Sequence, residues 1–332
     1  MSWIVEMDKL KVGIIGAGYI GGVHAGLLAR DDRVRVVAFY DTVVDRADRL
    51  ARACAATVAS SPEELMAGVD AVYIATPNTK HTSLALEAIA NGKHVFCEKP
   101  MATTLDDAAT ILTAVTGQPS LFQVGHNRRF APVYATLKET LAQYGPVHSA
   151  HLKMNRGELV SPPWVADPQI TGGFLYETTI HMFDMARFLF GEIEYIDAVG
   201  SSHEYPELDD FSVVLKFANG LHATMASSAD ASWLFPFERV EVFCHHRTIV
   251  TREMESITFS DGLEGRSTTQ TTHQLSKDEK WGYAQEDRAF VDSILAGTAP
   301  SVTAIDGYRS VELVDACYRS VRTGSRVYVG GR

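Results

Sequence analysis

The chain of 332 residues has little of what marks a secreted, metal-stapled or nucleic-acid-binding protein. Its four cysteines, Cys54, Cys97, Cys244 and Cys317, lie far apart with no C-x-x-C pair, so neither a zinc site nor a disulfide framework is expected. A reducing cytoplasm is the expected home. Basic side chains number 30 against 41 acidic ones, a net charge of −11 without any dense Lys/Arg block, which excludes the electrostatic footprint for nucleic acid or an anionic membrane. No apolar run approaches a membrane span, and no basic segment followed by an apolar stretch opens the chain, so no export signal is expected. Internal repeats and low-complexity segments are absent as well.

What is present is a hydrophobic fraction of 46% in a length that suits two domains. The stretch Lys11 to Ala29 organises the first. Val12 to Ile15 reads as a strand buried on both faces, and Gly16, Gly18 and Gly21 follow on G-x-G-x-x-G spacing, with Tyr19 and Ile20 between them. Gly16 permits a tight turn, Gly18 lets backbone approach a pyrophosphate, and Gly21 lets the next helix pack close. That helix, about Ala17 to Arg30, aims free N–H groups and a positive dipole end at the phosphates. A second apolar run, Val34 to Tyr40, ends at Asp41, where an acid gripping a ribose 2′-hydroxyl belongs. The same acid repels a 2′-phosphate, which favours NAD; Arg46 and Arg49 downstream keep NADP open.

The βαβ rhythm continues through a helix at Val44–Ala55 and another capped by Ser60-Ser61-Pro62-Glu63-Glu64. A strand at Ala71–Ala75 and a helix at Ser83–Asn91 come next, then a strand at His94–Cys97. Thr76, Pro77, Asn78, His81, Glu98 and Lys99 fall at carboxyl ends of strands, where a doubly wound sheet binds its dinucleotide. A cation at Lys99 favours a developing alkoxide. A helix from Met101 to about Thr116 and a strand at Leu121–Val124 close the domain near Gly125.

The segments Gly16-Ala-Gly-Tyr-Ile-Gly21, Ala75-Thr-Pro-Asn78 with His81, and Gly92-Lys-His-Val-Phe-Cys-Glu-Lys-Pro100 resemble the Gfo/Idh/MocA family of NAD(P)-dependent oxidoreductases. The resemblance runs on through Val124-Gly-His-Asn-Arg-Arg-Phe130 to Tyr283–Gly324 and covers nearly the whole chain. It implies a Rossmann domain with a doubly wound parallel sheet over 1–125. A substrate-binding and oligomerisation domain over 126–332 would carry a large, mostly antiparallel open sheet. It also implies that Lys99 touches both the nicotinamide side and the reacting hydroxyl. A second sheet face that meets a neighbouring subunit, in a homodimer or homotetramer, is part of the same expectation. A cis bond before Pro100 that aims Lys99 is a separate expectation, open to any X–Pro pair.

In the second half a helix at Pro132–Gln143 precedes strands at His148–Met154, Ile196–Ser202, Phe211–Phe217, His222–Ser228, Arg239–Phe243, Thr248–Thr251 and Ile257–Phe259. Asn219-Gly220 forms a hairpin turn between two of them. Helices at Tyr283–Ala296 and Ala304–Arg322 end the chain, the last with Val311, Leu313, Val314 and Cys317 buried. Gly172 to Asp184 holds the chemistry. Glu177 and His181 share a face if the segment is helical from Glu177, and a carboxylate there can hold the imidazole's tautomer. The family's G-G-x-x-x-D-x-G-x-H pattern implies that His181 is the catalytic base, with Glu177 in place of Asp, Thr179 in place of Gly, and Asp184 orienting the histidine. A metal shared by Glu177 and His181 lacks a third ligand, and His245-His246 would sit on opposite faces of a strand, so no metal is expected.

Asn155, Arg156, Trp164 and Tyr283 are candidate contacts for a polyhydroxylated substrate, each equally open to a structural role. Arg128 is either a further contact or, with Arg129, part of a domain interface. The expected activity is NAD-dependent hydride transfer from a secondary alcohol of a polyol, inositol or sugar. The resemblance also admits an NAD-dependent glycosidase that oxidises transiently, or a dinucleotide-sensing regulator without catalysis.

Overall fold

The fold is given by a computed structural model that describes residues 9–158, 162–233 and 237–330. Five largely apolar runs and one exposed two-residue strand form a parallel sheet: β1 (Leu10–Ile15), β2 (Val34–Tyr40), β3 (Thr57–Val58), β4 (Ala71–Ile74), β5 (His94–Glu98) and β6 (Phe122–Gly125). Their order, β3-β2-β1-β4-β5-β6, reverses between β1 and β4 and opens a crevice at the carboxyl ends there. Both faces are covered, which is why the five longer strands are largely apolar runs. Val12 and Ile14 pack toward α1 (Tyr19–Leu28) and α2 (Val44–Cys54). Ile15, Val72 and Val95 pack toward α3 (Pro62–Ala67), α4 (His81–Ala90) and α5 (Leu105–Val115).

Caps set the helix starts. Ser61 Oγ accepts the Glu64 N–H at 3.2 Å, with Pro62 in the first turn of α3. Thr104 Oγ1 accepts the Asp107 N–H at 3.1 Å, so α5 begins at Leu105 and not at Met101. Met101 and Ala102 are buried in the turn before it. The helix expected at Ser83 begins earlier, at His81, because the turn Asn78–Lys80 runs straight into it.

The second sheet has nine strands: β7 (Ser149–Asn155), β8 (Ile193–Ser201), β9 (Asp210–Phe217), β10 (His222–Ser228), β11 (Glu238–Cys244), β12 (Arg247–Arg252), β13 (Ser256–Asp261), β14 (Ser267–Thr271) and β15 (Val327–Tyr328). Their order is β14-β13-β12-β11-β7-β10-β9-β8-β15, antiparallel except for β7 beside β10. β14, Ser-Thr-Thr-Gln-Thr, is exposed throughout and pairs on one side only, so it offers no apolar alternation to read. His245 and His246 do not lie in a strand; they make the reversal between β11 and β12, with His246 at φ 53° and the two rings 3.9 Å apart.

Helices α6 (Pro132–Tyr144), α7 (Pro168–Thr171), α8 (Ile180–Phe190), α9 (Lys277–Lys280), α10 (Tyr283–Ala296) and α11 (Ala304–Thr323) complete the fold. Alternation along β9 and β10 turns Val213, Leu215 and Met225 into a core shared with Phe183 of α8 and Val311 and Val314 of α11. The opposite face carries Val199 and Val214, exposed by 69% and 45%. Helix α10 crosses back to the first sheet, where Phe290 and Val291 join Val12, Ile14 and Phe39 in one apolar cluster. All four cysteines are unpaired. No helix among the described residues is long and apolar enough to cross a membrane.

Candidate active site

The crevice begins at the glycine turn. Gly16 has φ +98°, and a Cβ there would lie 2.3 Å from the Ala75 carbonyl oxygen; a Cβ on Gly21 would lie 2.0 Å from the Gly16 oxygen. Gly18 faces open space and caps α1 without any side-chain bond, leaving the helix's first N–H groups available. An uncapped helix start behind a glycine that leaves room for a ligand fits a dinucleotide pyrophosphate. Asp41 is drawn to the same turn, accepting the Ala17 N–H at 2.7 Å and the Val43 N–H at 2.8 Å. Tyr19 is 69% exposed at the mouth with its hydroxyl on Lys277 Nζ, Ile20 is half-buried, and Arg46 is exposed on α2.

The second wall is the turn after β5. Lys99–Pro100 is a cis peptide. His81, placed beside the dinucleotide by sequence, is instead fully buried; its ring nitrogens lie 2.7 Å from the Pro100 oxygen and 2.9 Å from the Thr76 oxygen. It braces the two loops and has no surface left for a cofactor. Thr76 and Pro77 remain half-buried at the end of β4, and Asn78 is buried. Glu98 also departs from a simple cofactor contact, since one carboxylate oxygen lies 3.0 Å from His24 Nε2 and the other accepts the Lys99 N–H at 3.2 Å.

Lys99 reaches across to the Gly172–Asp184 segment. Its Nζ donates to the Glu177 carbonyl oxygen at 2.8 Å and lies 3.7 Å from Glu177 Oε1, while Asn78 Nδ2 donates to Glu177 Oε2 at 2.9 Å. Leu175–Thr179 is a π-turn feeding α8, and Glu177 and His181, four residues apart across its end, reach different partners. Glu177 therefore serves Asn78 and Lys99, and it does not hold the imidazole. Thr179, in the place of a glycine, is buried with its hydroxyl 2.6 Å from Ser227 Oγ.

His181 is 7% exposed, with Nε2 3.3 Å from Arg128 Nη1 and Nδ1 without a partner. A guanidinium only donates, so Nε2 carries the lone pair and Nδ1 the proton. Burial pushes the imidazole well below its ordinary pKa, and Arg128, Lys99, His126 and Arg156 push the same way. Asp184 does not orient it. That carboxylate accepts from Arg129 Nε at 2.8 Å and Nη2 at 2.6 Å, and Arg129 also reaches Asp306 at 3.1 Å. Arg128 is pinned by Glu238 at 3.3 Å, which Tyr134 also meets at 2.7 Å, and it stacks on Trp281 at 4.6 Å.

Arg156, Thr171, Phe174, Glu177, Tyr205 and Glu207 line a small cavity beside these groups. Arg156 is buried, reaches the Thr178 hydroxyl, and lies under the faces of Phe174 and Trp233 at 5.5 and 5.8 Å. Asn155 presents a buried, unpartnered Oδ1 at the end of β7. Trp164 is not among the lining residues; its neighbours Val165 and Ala166 are. Tyr283 opens α10 with its ring 6.1 Å from that of His24. A larger cleft of about 370 Å³ lies elsewhere, between α6 and the β9–β10 hairpin.

Sequence reasoning missed His24, Glu238 and Asp287, and it read Arg129 only as part of a domain interface with Arg128. His24 could have been found as a histidine on the strand-facing side of the dinucleotide helix. The others gain meaning only from partners more than fifty residues away.

The chain matches the oxidoreductase family model with an NAD-binding Rossmann fold over residues 10–126, and the C-terminal α/β domain of the same family over 138–329. It is 32% identical to inositol 2-dehydrogenase 2 of Saccharopolyspora erythraea, over 95% of this chain and 94% of that one. It is 29% identical to inositol 2-dehydrogenase of Rhizobium meliloti, over 94% of this chain and 97% of that one. Among solved structures it is similar to GenD2 from gentamicin A biosynthesis in complex with NAD, at 25% identity and TM-score 0.84 over 97% of each chain. With a glycine turn that fits a pyrophosphate, and with both halves of the chain matched, this chain belongs to the Gfo/Idh/MocA family and is an NAD(P)-dependent oxidoreductase whose cofactor is NAD.

Proposed function

We propose that the chain oxidises a secondary alcohol of a polyol, an inositol or a sugar, with residues 1–125 holding NAD and 126–332 holding the substrate. The observation that carries this reading is the convergence of Lys99, from the first sheet, on Glu177, one helical turn before His181. In the reaction the alcohol oxygen sits at the Lys99 ammonium, which stabilises the alkoxide as it forms. The hydroxyl proton passes to His181 Nε2, whose lone pair Arg128 Nη1 gives up as the substrate hydroxyl takes its place, and the carbon becomes a carbonyl. Bound NAD supplies the hydride acceptor. The low basicity of His181 suits it to return the proton readily in the reverse direction.

Gly16, Gly18, Gly21, Asp41, Thr76 and Asn78 hold the dinucleotide in this reading; Glu177, Arg156, Asn155, Arg128 and Tyr283 surround the substrate. The similarity to two inositol 2-dehydrogenases supports an inositol or a related ring polyol. The sheet face with Val199 and Val214 supports a homodimer or homotetramer, read by light scattering, and four unpaired cysteines suit a cytoplasmic enzyme.

A panel of inositols, aldoses and glycosides offered with NAD and then NADP, followed by reduced-nicotinamide absorbance, tests the reading. Turnover with NAD that disappears in Lys99→Ala and His181→Ala supports it. Free sugar released without net NADH points to the glycosidase reaction, and NAD binding with no turnover on any member points to a regulator.

A further inference from the structure

His24 lies in the middle of α1, fully buried, and the reaction above gives it no task. Its Nδ1 is 2.8 Å from Asp287 Oδ1 and its Nε2 is 3.0 Å from Glu98 Oε1. Carboxylate oxygens on both ring nitrogens call for an N–H at each position, the imidazolium form. The ring thus ties three elements together: the dinucleotide helix α1, the end of β5, and α10 from the far end of the chain. Glu98 passes the constraint on, because its second oxygen accepts the backbone N–H of Lys99 at 3.2 Å. Gly125 gives this carboxylate room; a Cβ there would lie 3.0 Å from Glu98 Cδ and press it out of place by a few tenths of an ångström.

We propose that His24 is a positioning residue for the reaction, an imidazolium that holds Glu98 ionised and, through it, fixes the turn from which Lys99 meets the substrate. The groups facing the ring agree. From β5 comes Glu98, from α10 Asp287, Glu286 and Tyr283, and from β4 Tyr73. Burial opposes a charged His24, yet Asp287 and Glu98 raise its pKa well above the ordinary value. Burial works against an ionised Glu98 too; His24 outweighs it, with Lys99 and His81 adding to the effect, and the carboxyl stays low. Burial raises Glu286 well above the ordinary carboxyl value and raises Asp287 as well, with His24 drawing Asp287 back down. His24 is thus held from both ring nitrogens, by Asp287 on one side and Glu98 on the other.

This rests on the proposed alcohol oxidation, so the test carries one reading that needs no substrate. In the full chain labelled with ¹⁵N-histidine, the His24 signals, assigned by their loss in His24→Gln, are expected to show a doubly protonated ring from pH 6 to 8. A neutral ring over that range overturns the proposal. On the best panel substrate, His24→Gln leaves Glu98 buried without its cation. Turnover at neutral pH is then expected to fall by about 10- to 100-fold, the scale of a misplaced catalytic group. A new ionisation appears as well: the rate climbs with pH as Glu98 regains its charge, where the wild type is flat. In His24→Gln/Glu98→Gln that added limb vanishes. A His24 that only fills space lowers melting temperature and rate evenly at every pH, and that outcome refutes the role. If His24→Gln does not fold, Glu98→Gln serves: the ring is expected to lose its second proton at lower pH, and turnover to drop about tenfold; an unchanged ring and rate count against it. A doubly protonated ring in a chain with no turnover on any polyol sinks the oxidation reading and leaves the clamp standing.

Discussion

At the scale of single residues, the site is set by where buried charges find partners. His181 is uncharged through neutral pH because burial and the cations around it hold its pKa down. The acid limb of turnover is therefore expected well below pH 6.5, the ordinary histidine value. Removing one of those cations should raise that limb. Arg128→Met alone strands Glu238, which is fully buried, and is expected to cost about 3–5 kcal/mol of stability. Arg128→Met/Glu238→Gln removes both charges, recovers much of that loss in urea melts, and moves the acid limb toward pH 6.5. A limb that stays in place excludes the assignment of His181 as the base. Lys99→Ala should cut turnover by about 10²–10³-fold with the fold intact, the size of one lost oxyanion donor.

At the scale of elements, caps and glycines fix where the chain turns. Gly16→Ala places a methyl group 2.3 Å from the Ala75 carbonyl at a left-handed φ, and is expected to cost about 1–3 kcal/mol and to weaken NAD binding, read by fluorescence titration. Thr303, which caps α11 and exchanges bonds with Asp306, should cost about 1 kcal/mol when changed to Ala. Such local signals were legible in the sequence. Five of the six strands of the first sheet could be read, because they are apolar runs bounded by turns; β3, two exposed residues at Thr57–Val58, could not. Lys99 and His181 could be read from their motifs. The π-turn at Leu175–Thr179 could not, since five residues without Gly or Pro look like ordinary helix. Glu177 goes to Asn78 and Lys99 and His181 to Arg128, partners from other elements that no spacing along the segment records. Asp184 misled for the same reason: its partner Arg129 comes from another element, and sequence spacing holds no record of that distance. β14 was silent because both of its faces are wet.

At the scale of the whole molecule, titration should follow the histidines. His81, His94, His126 and His181 all have pKa values lowered, chiefly by burial. Each binds its proton more readily in the unfolded chain, so stability is full above about pH 6.5 and falls as the pH drops from there toward the folded values. His24 works the other way: its raised pKa adds stability below about pH 6.5 that persists until the pH climbs through the folded value. Glu286 and Asp287, raised by burial, act in the same sense as His24, so removing one of them should expose the four lowered histidines: the melting temperature of Glu286→Gln is expected to fall more steeply between pH 7 and pH 5 than that of the wild type, and equal slopes contradict the raised Glu286. Asp184 and Asp306, both held low against burial chiefly by Arg129, extend the same loss to lower pH.

The return of α10 to the first sheet has a consequence for anyone who would trade parts between relatives. Cutting at Gly125 separates Val12, Ile14 and Phe39 from the Phe290 and Val291 that roof them. The excised half would carry an oily scar and an orphaned His24. Grafts that exchange cofactor modules must bring Tyr283–Ala296 along as well, so the inheritable unit of this enzyme is discontinuous in its gene.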